Sequence, residues 1–379
     1  MYLHIPFCAS KCAYCDFLSA PVGEEVWEAY VKALIGEIEA RSAAFRDYRV
    51  KTLFLGGGTP SILPESLTEA LLSKIQECFY VDEDAEITTE ANPGTFGGEK
   101  LRAYRAMGIN RLSIGLQSAH DRELRLLGRI HTYAQFLDGY REARRAGFDN
   151  INIDLMSALP GQTKADWEDT LKTVIALEPE HISAYSLIIE EGTPFYDRYS
   201  GEGERYLPDE DEEREMYYLT KELLAAAGYR RYEISNYARP GYECRHNTGY
   251  WTGVEYLGLG LGASSLTGSF RFHNTGELKD YLENSREPER IERERHRQSR
   301  KDSMEEFLFL GLRLTEGIRR SEFEQRFGRP IDEVYGAVID RWISRGMLAE
   351  RGDRLALTEH GIDVSNVVLA DFLLDEDII

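Results

Sequence analysis

The sequence lacks a long apolar run and an excess of basic residues. No stretch of about 18 apolar residues occurs in its 379 residues, which excludes a membrane-spanning helix. The 45 Lys and Arg residues are outnumbered by 66 Asp and Glu residues, so the formal net charge is −21. Because such a chain repels phosphate backbones, nucleic acid is excluded as the main partner. The first twelve residues contain neither a basic nor an apolar segment, so we expect no secretory signal there.

The five cysteines are too few and too unevenly spaced for a disulfide framework. Three of them, Cys8, Cys12 and Cys15, lie within eight residues, whereas Cys78 and Cys244 are isolated. Without a secretory signal we expect the protein in the reducing cytoplasm. Clustered cysteines in that compartment indicate a metal or redox site, and Cys78, within a helical pattern, is expected to lie in the core.

Short apolar runs alternate with amphipathic stretches over the first 230 residues. The runs predict strands over residues 2–5, 52–55, 86–89, 111–114, 151–155 and 181–187. The stretches between and after them predict helices. Because parallel strands need crossover connections, this α/β pattern predicts a partial (βα)6 TIM-like barrel, with an open doubly wound sheet as the competing architecture. In a barrel the chemistry lies at the carboxyl ends of the strands.

The last third of the chain differs in composition from the barrel region and its extension, which we assign to residues 1–284. Residues 285–302 are nearly all charged, with Ile291 as their one aliphatic residue, and predict a solvated linker or helix. Residues 303–379 predict helices followed by a hairpin that turns at Gly352 and Asp353, an order that resembles a small, mainly α, winged-helix-like domain. Nine Arg, no Lys and sixteen Asp or Glu residues disfavour DNA binding there, so we expect a covering or docking domain.

The strongest chemical signal is the spacing C-x3-C-x2-C of Cys8, Cys12 and Cys15. Three thiolates on one short loop can bind three irons of a cubane [4Fe–4S] cluster. No fourth cysteine lies nearby, so one iron would stay open to an exogenous ligand, as reductive cleavage of S-adenosylmethionine (SAM) requires. The alternatives are a zinc site completed by His4, which lacks the usual second cysteine pair, and cysteines without a metal.

Several motifs in consistent order resemble one branch of the radical-SAM superfamily. The motifs HIPFC, YCDF, GGGTPS, EANPG, SIGLQS, LGRIH and NIDLM are similar to those of the oxygen-independent coproporphyrinogen III oxidase group. The segment CRHNTGYW at 244–251 is similar to the haem chaperones of that group. The resemblance extends from residue 2 to about residue 265.

This resemblance implies a [4Fe–4S] cluster on the three clustered cysteines and SAM beside it. The implied SAM contacts are Tyr2, Tyr14, Gly57, Gly58, Thr59, Glu90, Gln117, Arg129 and Asp154. The chemistry of these residue types also suits SAM binding without the resemblance. Glycines allow a ligand to approach closely, carboxylates accept hydrogen bonds, and an arginine can hold a carboxylate in a bidentate pair. A glycine triplet alone also fits a tight turn.

Two positions separate the chaperones from the oxidases. The oxidases carry a fourth cysteine where this chain has Phe17, which argues against oxidase activity. The chaperone motif places His246 as an axial haem ligand near the barrel mouth, with Cys244 as an alternative thiolate ligand. His246 could instead hydrogen-bond its own loop, and a histidine that the family usually has is replaced by Ser264. His181, at a strand start, is expected to be structural.

The resemblance thus implies a chaperone that binds haem and passes it to haem-requiring recipient proteins, with peripheral membrane association where recipients lie there. The alternative is an enzyme, either a coproporphyrinogen III oxidase that decarboxylates its substrate oxidatively or another adenosyl-radical enzyme. A third reading is an interaction protein with a purely structural cluster. Phe17 and the segment 246–251 discriminate the first two.

Overall fold

The computed structural model describes residues 1–374, and its largest element is a nine-stranded sheet. Six parallel strands form the sheet's centre: β1 (Tyr2–Ile5), β2 (Arg49–Gly57), β3 (Tyr80–Ala91), β4 (Arg111–Gln117), β5 (Ile151–Ser157) and β6 (His181–Ser186). Beyond β6 lie the antiparallel strands β7 (Arg230–Arg231) and β8 (Asn236–Ala238), and β9 (Gly258–Leu259) pairs in parallel with β1.

Helices connect the parallel strands and cover the sheet. They are α1 (Glu24–Ser42), α2 (Glu65–Cys78), α3 (Gly98–Ala106), α4 (Asp121–Leu126), α5 (Tyr133–Arg145), α6 (Lys164–Ile175), α7 (Pro194–Tyr199) and α8 (Glu210–Ala226). The strands from β1 to β6 are neighbours in chain order, without the reversal that defines a doubly wound sheet. The prediction of a partial (βα)6 barrel is therefore confirmed.

Local sequence explains where these helices begin and what they bury. α5 and α6 each start with a capping box, in which Thr132 pairs with Gln135 and Thr163 pairs with Asp166. One face of α6 buries Trp167 and neighbouring aliphatic side chains against the sheet. All seven residues of β4 are buried, as expected for a parallel strand near the sheet's centre that is covered on both sides.

An extension follows the barrel and includes a second, three-stranded antiparallel sheet. Its elements are α9 (Arg245–Trp251), β10 (Ser264–Thr267), β11 (Phe270–Asn274), α10 (Leu278–Asn284), α11 (Pro288–Ile291) and β12 (Glu292–Arg297). β12 pairs with β11, so the prediction that residues 285–302 form only a solvated linker or helix is wrong. The guanidinium of Arg295 lies over the rings of Phe270 and Phe272, at 4.7 and 5.0 Å from their centroids. This cation–π stacking covers the two aromatic rings, and a count of charges does not register it.

A buried carboxylate links α1 to this extension. Glu37 is fully buried and accepts hydrogen bonds from Arg41, Asn274 and the hydroxyl of Tyr281, at 2.6–2.8 Å. It also accepts one from the backbone N–H of Gly260, 2.9 Å away. The polar groups of this network find their hydrogen-bond partners within the protein. The pair of Glu37 and Arg41 therefore holds the extension against the barrel wall.

The C-terminal region has its own hydrophobic core. It contains α12 (Arg300–Gly311), β13 (Ile318–Arg319), α13 (Arg320–Phe327), α14 (Ile331–Ser344), β14 (Leu348–Arg351), β15 (Arg354–Leu357), α15 (Glu359–Asp363) and α16 (Ser365–Ala370). Its three strands form an antiparallel sheet in the order β13-β15-β14, and Gly352 takes a left-handed conformation between β14 and β15. This arrangement matches the winged-helix-like prediction. Within residues 1–374, none of the helices combines the length and the apolar composition needed to cross a bilayer.

Candidate functional site

The loop with Cys8, Cys12 and Cys15 starts just after β1 and is held by backbone hydrogen bonds along its length. The N–H of Cys8 donates to the carbonyl of Ala20 at 3.2 Å. At the other end of the loop, the N–H of Ala13 donates to the carbonyl of Leu127, and its carbonyl accepts from the N–H of Phe195. These bonds fix the loop over the carboxyl ends of the parallel strands, where barrel chemistry is expected.

Gly58, which follows β2, lets the backbone before Cys8 approach closely. A Cβ atom at this position would lie 2.5 Å from the carbonyl oxygen and 2.8 Å from the nitrogen of Phe7. The N–H of Gly58 donates to the carbonyl of Ile5, and the N–H of Gly57 donates to the carboxylate of Glu90. These N–H groups are therefore used within the protein, and the glycine run serves to position the cysteine loop.

We expect Gly58→Ala to destabilise the fold by about 1–3 kcal/mol, since the neighbouring atoms are backbone and must move. The displaced loop should also retain less iron. The matched control is Gly336→Ala in α14, whose Cβ would meet only Asp332 at 3.7 Å. That change should stabilise the helix by roughly 0.5–1 kcal/mol. Urea unfolding of both variants checks the prediction. Equal changes in the free energy of unfolding of the two variants would contradict it.

The cysteine loop and the strand ends enclose a cavity of about 410 Å³, a size typical of small-molecule sites. Eleven of the residues predicted for the cluster and SAM line it: Cys8, Cys12, Tyr14, Cys15, Gly57, Gly58, Thr59, Glu90, Gln117, Arg129 and Asp154. The cysteines and Tyr14 come from the loop after β1, and Arg129 comes from the loop between α4 and α5. The others lie in or just after β2, β3, β4 and β5. The sequence prediction of a shared rim therefore agrees with this geometry.

The three clustered cysteines fit an iron–sulfur cluster by their chemistry and position. All three are free, half-buried and open to the same cavity. Within residues 1–374, no three His, Cys, Asp or Glu side chains converge closely enough to hold one metal ion. A cubane cluster needs a different arrangement of ligands, because each thiolate binds a separate iron and the three cysteine sulfurs do not converge on one metal ion.

His4 does not serve as the fourth ligand of a zinc site in this structure. Its Nδ1 is 2.9 Å from the hydroxyl of Tyr2, and its Nε2 is 2.9 Å from the carbonyl of Leu18. The side chain is buried, and burial lowers the pKa of the imidazole. Both ring nitrogens are therefore engaged in holding the loop end against β1.

Arg129 connects the cysteine loop to the strand ends. Its Nη1 lies 3.6 Å from the Sγ of Cys12, and its Nη2 donates to the side chain of Asn92 and to the carbonyl of Gly115. Asn92 in turn donates to the hydroxyl of Thr59 at 2.6 Å. Arg129 therefore joins the middle of the cysteine loop to the residues that follow β2 and β3 and to β4.

Two carboxyl groups, Glu90 and Asp154, lie at the floor of the cavity. Burial and then the nearby Asp154 raise the pKa of Glu90 to about 8. Burial also raises the pKa of Asp154, although hydrogen bonds from Asn152 and Ser113 oppose the shift. Both side chains keep some exposed surface towards the cavity. An uncharged Glu90 near neutral pH can take up a charge when a cation such as an amino group binds.

This raised pKa predicts a pH-dependent stability. An exposed glutamate has a pKa of 4.5, so between pH 4.5 and about 8 the unfolded chain releases a proton that folded Glu90 retains. Stability therefore falls as the pH rises through that window. Relative to wild type, the free energy of unfolding of ligand-free Glu90→Gln should increase by roughly 2–4 kcal/mol between pH 4.5 and 8.5. This value includes a reduction for screening by water in the cavity.

Urea unfolding at several pH values measures this difference. The control is Glu69→Gln, an exposed position on α2, which should show no such trend. A gain for Glu90→Gln that is the same at pH 5 and pH 8.5 would contradict the prediction.

Two predicted ligand contacts do not line the cavity. Tyr2 lies within the barrel, where its hydroxyl contacts His4 and its ring faces His246, at a centroid distance of 6.5 Å. Tyr2 starts β1, whereas the cysteines follow its end, and its role as a SAM contact stays a prediction. Through His4, which also contacts the carbonyl of Leu18, Tyr2 is linked to the end of the cysteine loop.

His246 lies at the opposite end of the sheet from the cysteines. Its Nδ1 is 2.9 Å from the hydroxyl of Thr52, five residues before the end of β2, which is about 16 Å along an extended strand. Its Nε2 is 2.9 Å from the hydroxyl of Tyr250, and its ring stacks on Phe54. The placement near the barrel mouth is therefore wrong. His246 is buried with both nitrogens engaged. Its contact with Tyr250 lies within its own segment, as the alternative expected, whereas its contact with Thr52 joins it to β2.

The other residues weighed as haem ligands also belong to the structural framework. Cys244 is buried beside Glu86, and burial raises the pKa of its thiol to about 11, so a thiolate is disfavoured. Ser264 lies in β10. His181 is structural as predicted, because its ring nitrogens contact Asn152 and the hydroxyl of Tyr232. Cys78 is only partly buried, at the end of α2 and packed against the core.

The sequence prediction missed several lining residues. They are Asn92, Ser113, His131, Met156, Tyr185 and Ile188. Most of them follow or end a parallel strand, so the rule that residues at strand ends share one rim could have found them. Four of them, Asn92, Ser113, His131 and Met156, lie inside the quoted motifs EANPG, SIGLQS, LGRIH and NIDLM but were not assigned a role there.

Comparisons with known protein families agree with this geometry. Residues 2–174 match the family model of the radical SAM superfamily, and residues 298–364 match that of the HemN C-terminal domain. Among solved structures, the coproporphyrinogen III oxidase HemN from Escherichia coli superimposes with a TM-score of 0.87 at 25% identity. That match covers 98% of this chain and 89% of the other.

Three curated relatives match along nearly the whole chain. The heme chaperone HemW of Lactococcus lactis is 37% identical, covering 99% of this chain and 97% of its own. HemW of Escherichia coli is also 37% identical, covering 99% and 98%. The mitochondrial radical S-adenosyl methionine domain-containing protein 1 of Mus musculus is 33% identical, covering 98% and 87%. The chain therefore belongs to the radical SAM superfamily and, within it, to the HemW family.

Proposed function

We propose that this protein is a haem chaperone that binds a [4Fe–4S] cluster, SAM and haem and transfers haem to recipient proteins. The observation that carries the proposal is the full-length similarity to proteins named heme chaperone, combined with Phe17. Phe17 stands on the cavity rim, 64% exposed, where the oxidases carry a fourth cysteine.

The cluster would be held by Cys8, Cys12 and Cys15 on their backbone-bonded loop. When bound, it supplies an electron and an open iron for SAM. Arg129 lies against Cys12, with its Nη1 3.6 Å from the Sγ. Thr59 donates to the Sγ of Cys8 at 3.6 Å and steadies the other end of the loop. These two residues contact the sulfurs of Cys12 and Cys8, and all three cysteines line the cavity.

SAM would occupy the cavity beside the cluster. Glu90 and Asp154 present carboxyl oxygens that accept hydrogen bonds from amino or hydroxyl groups. Gln117 ends β4 with a positive φ of 74°, a conformation uncommon outside glycine, and its side chain lines the cavity. Strained backbone of this kind is often found where a side chain must be aimed at a ligand.

Recipient proteins would take haem from the chaperone by direct contact. We place this exchange in the cytoplasm, where the five free cysteines stay reduced. Recipients bound to a membrane would need only peripheral association, which co-sedimentation of the haem-loaded protein with phospholipid vesicles tests.

The deciding experiment compares haem transfer with porphyrinogen oxidation. Anaerobic protein with its cluster should bind haem at one per chain and transfer it to an apo-protein acceptor. With coproporphyrinogen III, SAM and a reductant, it should form no decarboxylated product. Product formation would support the oxidase alternative, and a protein that neither binds haem nor oxidises the porphyrinogen would overturn the proposal.

A further inference from the structure

A series of hydrogen bonds runs through the barrel interior to the carboxyl group of Asp154. The Nδ2 of Asn152 donates to the Oδ1 of Asp154 at 2.8 Å, and the Oδ1 of Asn152 lies 2.6 Å from the Nδ1 of His181. The Nε2 of His181 lies 2.9 Å from the hydroxyl of Tyr232, which accepts the N–H of Cys244 at 3.3 Å. We call these five residues the Asp154 network. It connects the cavity floor with the segment that begins at Cys244.

The direction of each hydrogen bond in the Asp154 network follows from the next one. An ionised carboxylate only accepts, so Asn152 must present its Nδ2 to Asp154 and its Oδ1 to His181. The Nδ1 of His181 must then carry a proton. Burial lowers the pKa of this imidazole well below its usual value, so the ring is neutral and its Nε2 accepts from the hydroxyl of Tyr232. One tautomer of His181 therefore keeps the amide of Asn152 from turning over.

Asn152 and His181 lie behind the cavity wall and not in it. They are 2% and 1% exposed and face each other across β5 and β6, whereas Asp154 lines the cavity. Two serines complete the arrangement. The Oγ of Ser183 donates to the Oδ1 of Asn152 at 3.1 Å, and the Oγ of Ser113 donates to the Oδ2 of Asp154 at 3.0 Å. These residues can therefore affect a ligand through Asp154.

The network fixes both the charge and the orientation of Asp154. Burial raises the pKa of this carboxyl group, and hydrogen bonds from Asn152, Ser183 and Ser113 oppose the shift. Each carboxylate oxygen accepts one bond, from Asn152 or from Ser113, and keeps acceptor capacity for a ligand hydroxyl or amino group. A carboxylate that is already oriented loses little freedom when the ligand binds, which favours affinity.

We propose that His181 and Asn152 are positioning residues for SAM, which act by orienting the carboxylate of Asp154 towards the cavity. This inference rests on the proposed binding of SAM in the cavity and adds residues that do not touch the ligand. It also gives the start of the segment after Cys244 a part in ligand binding, because the N–H of Cys244 holds the hydroxyl of Tyr232.

The test compares two substitutions of nearly equal shape, His181→Asn and His181→Leu. Both remove the contact with Tyr232 and leave the same space. The asparagine amide can place a nitrogen where Nδ1 stood and so keeps a donor for Asn152, whereas leucine places a methyl group there. In isothermal titration of the anaerobic protein with its cluster, His181→Leu should bind SAM about tenfold more weakly and His181→Asn within about threefold of wild type.

A double variant decides the question if His181→Leu does not fold. Tyr232→Phe with Ser183→Ala removes one oxygen atom from each side chain and keeps the packing. The Nε2 of His181 loses its donor and the Oδ1 of Asn152 loses one of two donors, so the amide is no longer held in one direction. SAM binding should weaken by about fivefold.

The matched control is Tyr229→Phe, which removes a buried hydroxyl that donates to the carbonyl of Pro179 at 2.6 Å, outside the network. It should lower the Tm and leave the SAM affinity unchanged. Equal SAM affinities in His181→Asn and His181→Leu, or an unchanged affinity in the double variant, overturn the inference while SAM binding stands. Wild-type protein that binds no SAM overturns that part of the proposed function and this inference with it.

Discussion

Replacing any one of Cys8, Cys12 or Cys15 by Ala is expected to remove the iron–sulfur cluster. Wild-type protein reconstituted anaerobically should hold about four irons and four sulfides. Three thiolates provide all the protein ligands, so the loss of one leaves two irons without protein coordination. The expected result is iron and sulfide near zero and loss of the visible charge-transfer absorption.

Cys78→Ala is the matched control, because this cysteine lies at the end of α2 and outside the cavity. It should retain full iron and an unchanged spectrum. Far-ultraviolet circular dichroism should show that all four variants fold, since the three ligands are half-buried loop residues rather than core residues. Full iron in all three ligand variants would contradict the assignment.

His246→Ala is expected to destabilise the protein strongly without altering a haem spectrum. The change removes hydrogen bonds to Thr52 and Tyr250 and the stacking on Phe54, and it leaves two hydroxyl groups without partners. An unsatisfied buried group costs about 1–3 kcal/mol, so the total loss should reach about 3 kcal/mol or more. The Tm of the variant measures the first effect and haem titration the second.

His360→Ala, at an exposed position of α15, serves as the control and should leave the Tm unchanged. His246→Gln keeps one hydrogen-bonding group near Thr52. Its Tm should therefore lie between those of His246→Ala and His360→Ala. A shifted Soret band in His246→Ala, together with an unchanged Tm, would restore this residue as a haem ligand.

The parallel strands were predictable because each is a short apolar run followed by a helical pattern. Their buried cores lie within a residue or two of the expected positions, although β3 starts six residues earlier, at Tyr80. That first part is polar and half-exposed, so apolar patterning could not reveal it. The cysteine loop and the strand-end residues were predictable as a group because parallel strands bring their carboxyl ends together.

The position of the segment after Cys244 was not predictable from its sequence. A histidine and several aromatic residues suit a haem site and a packed plug equally well, and only the tertiary fold decides between them. Here Glu86 accepts the N–H groups of Arg245 and His246, which anchors the start of α9 at the amino end of the barrel. The strand β12 was not predictable for another reason. Pairing with β11, and not the hydropathy of its own residues, makes it a strand.

Because β1 pairs with a strand on each side, it can complete its pairing only late in synthesis of the chain. β1 lies between β2 and β9, and the N–H of Tyr2 donates to the carbonyl of Leu257. The cysteines that follow β1 are translated first, yet the strand that supports them remains an open sheet edge until residue 259 has left the ribosome. We therefore expect the nascent chain to protect its cysteine loop late, which protease digestion of stalled chains ending before and after β9 would show.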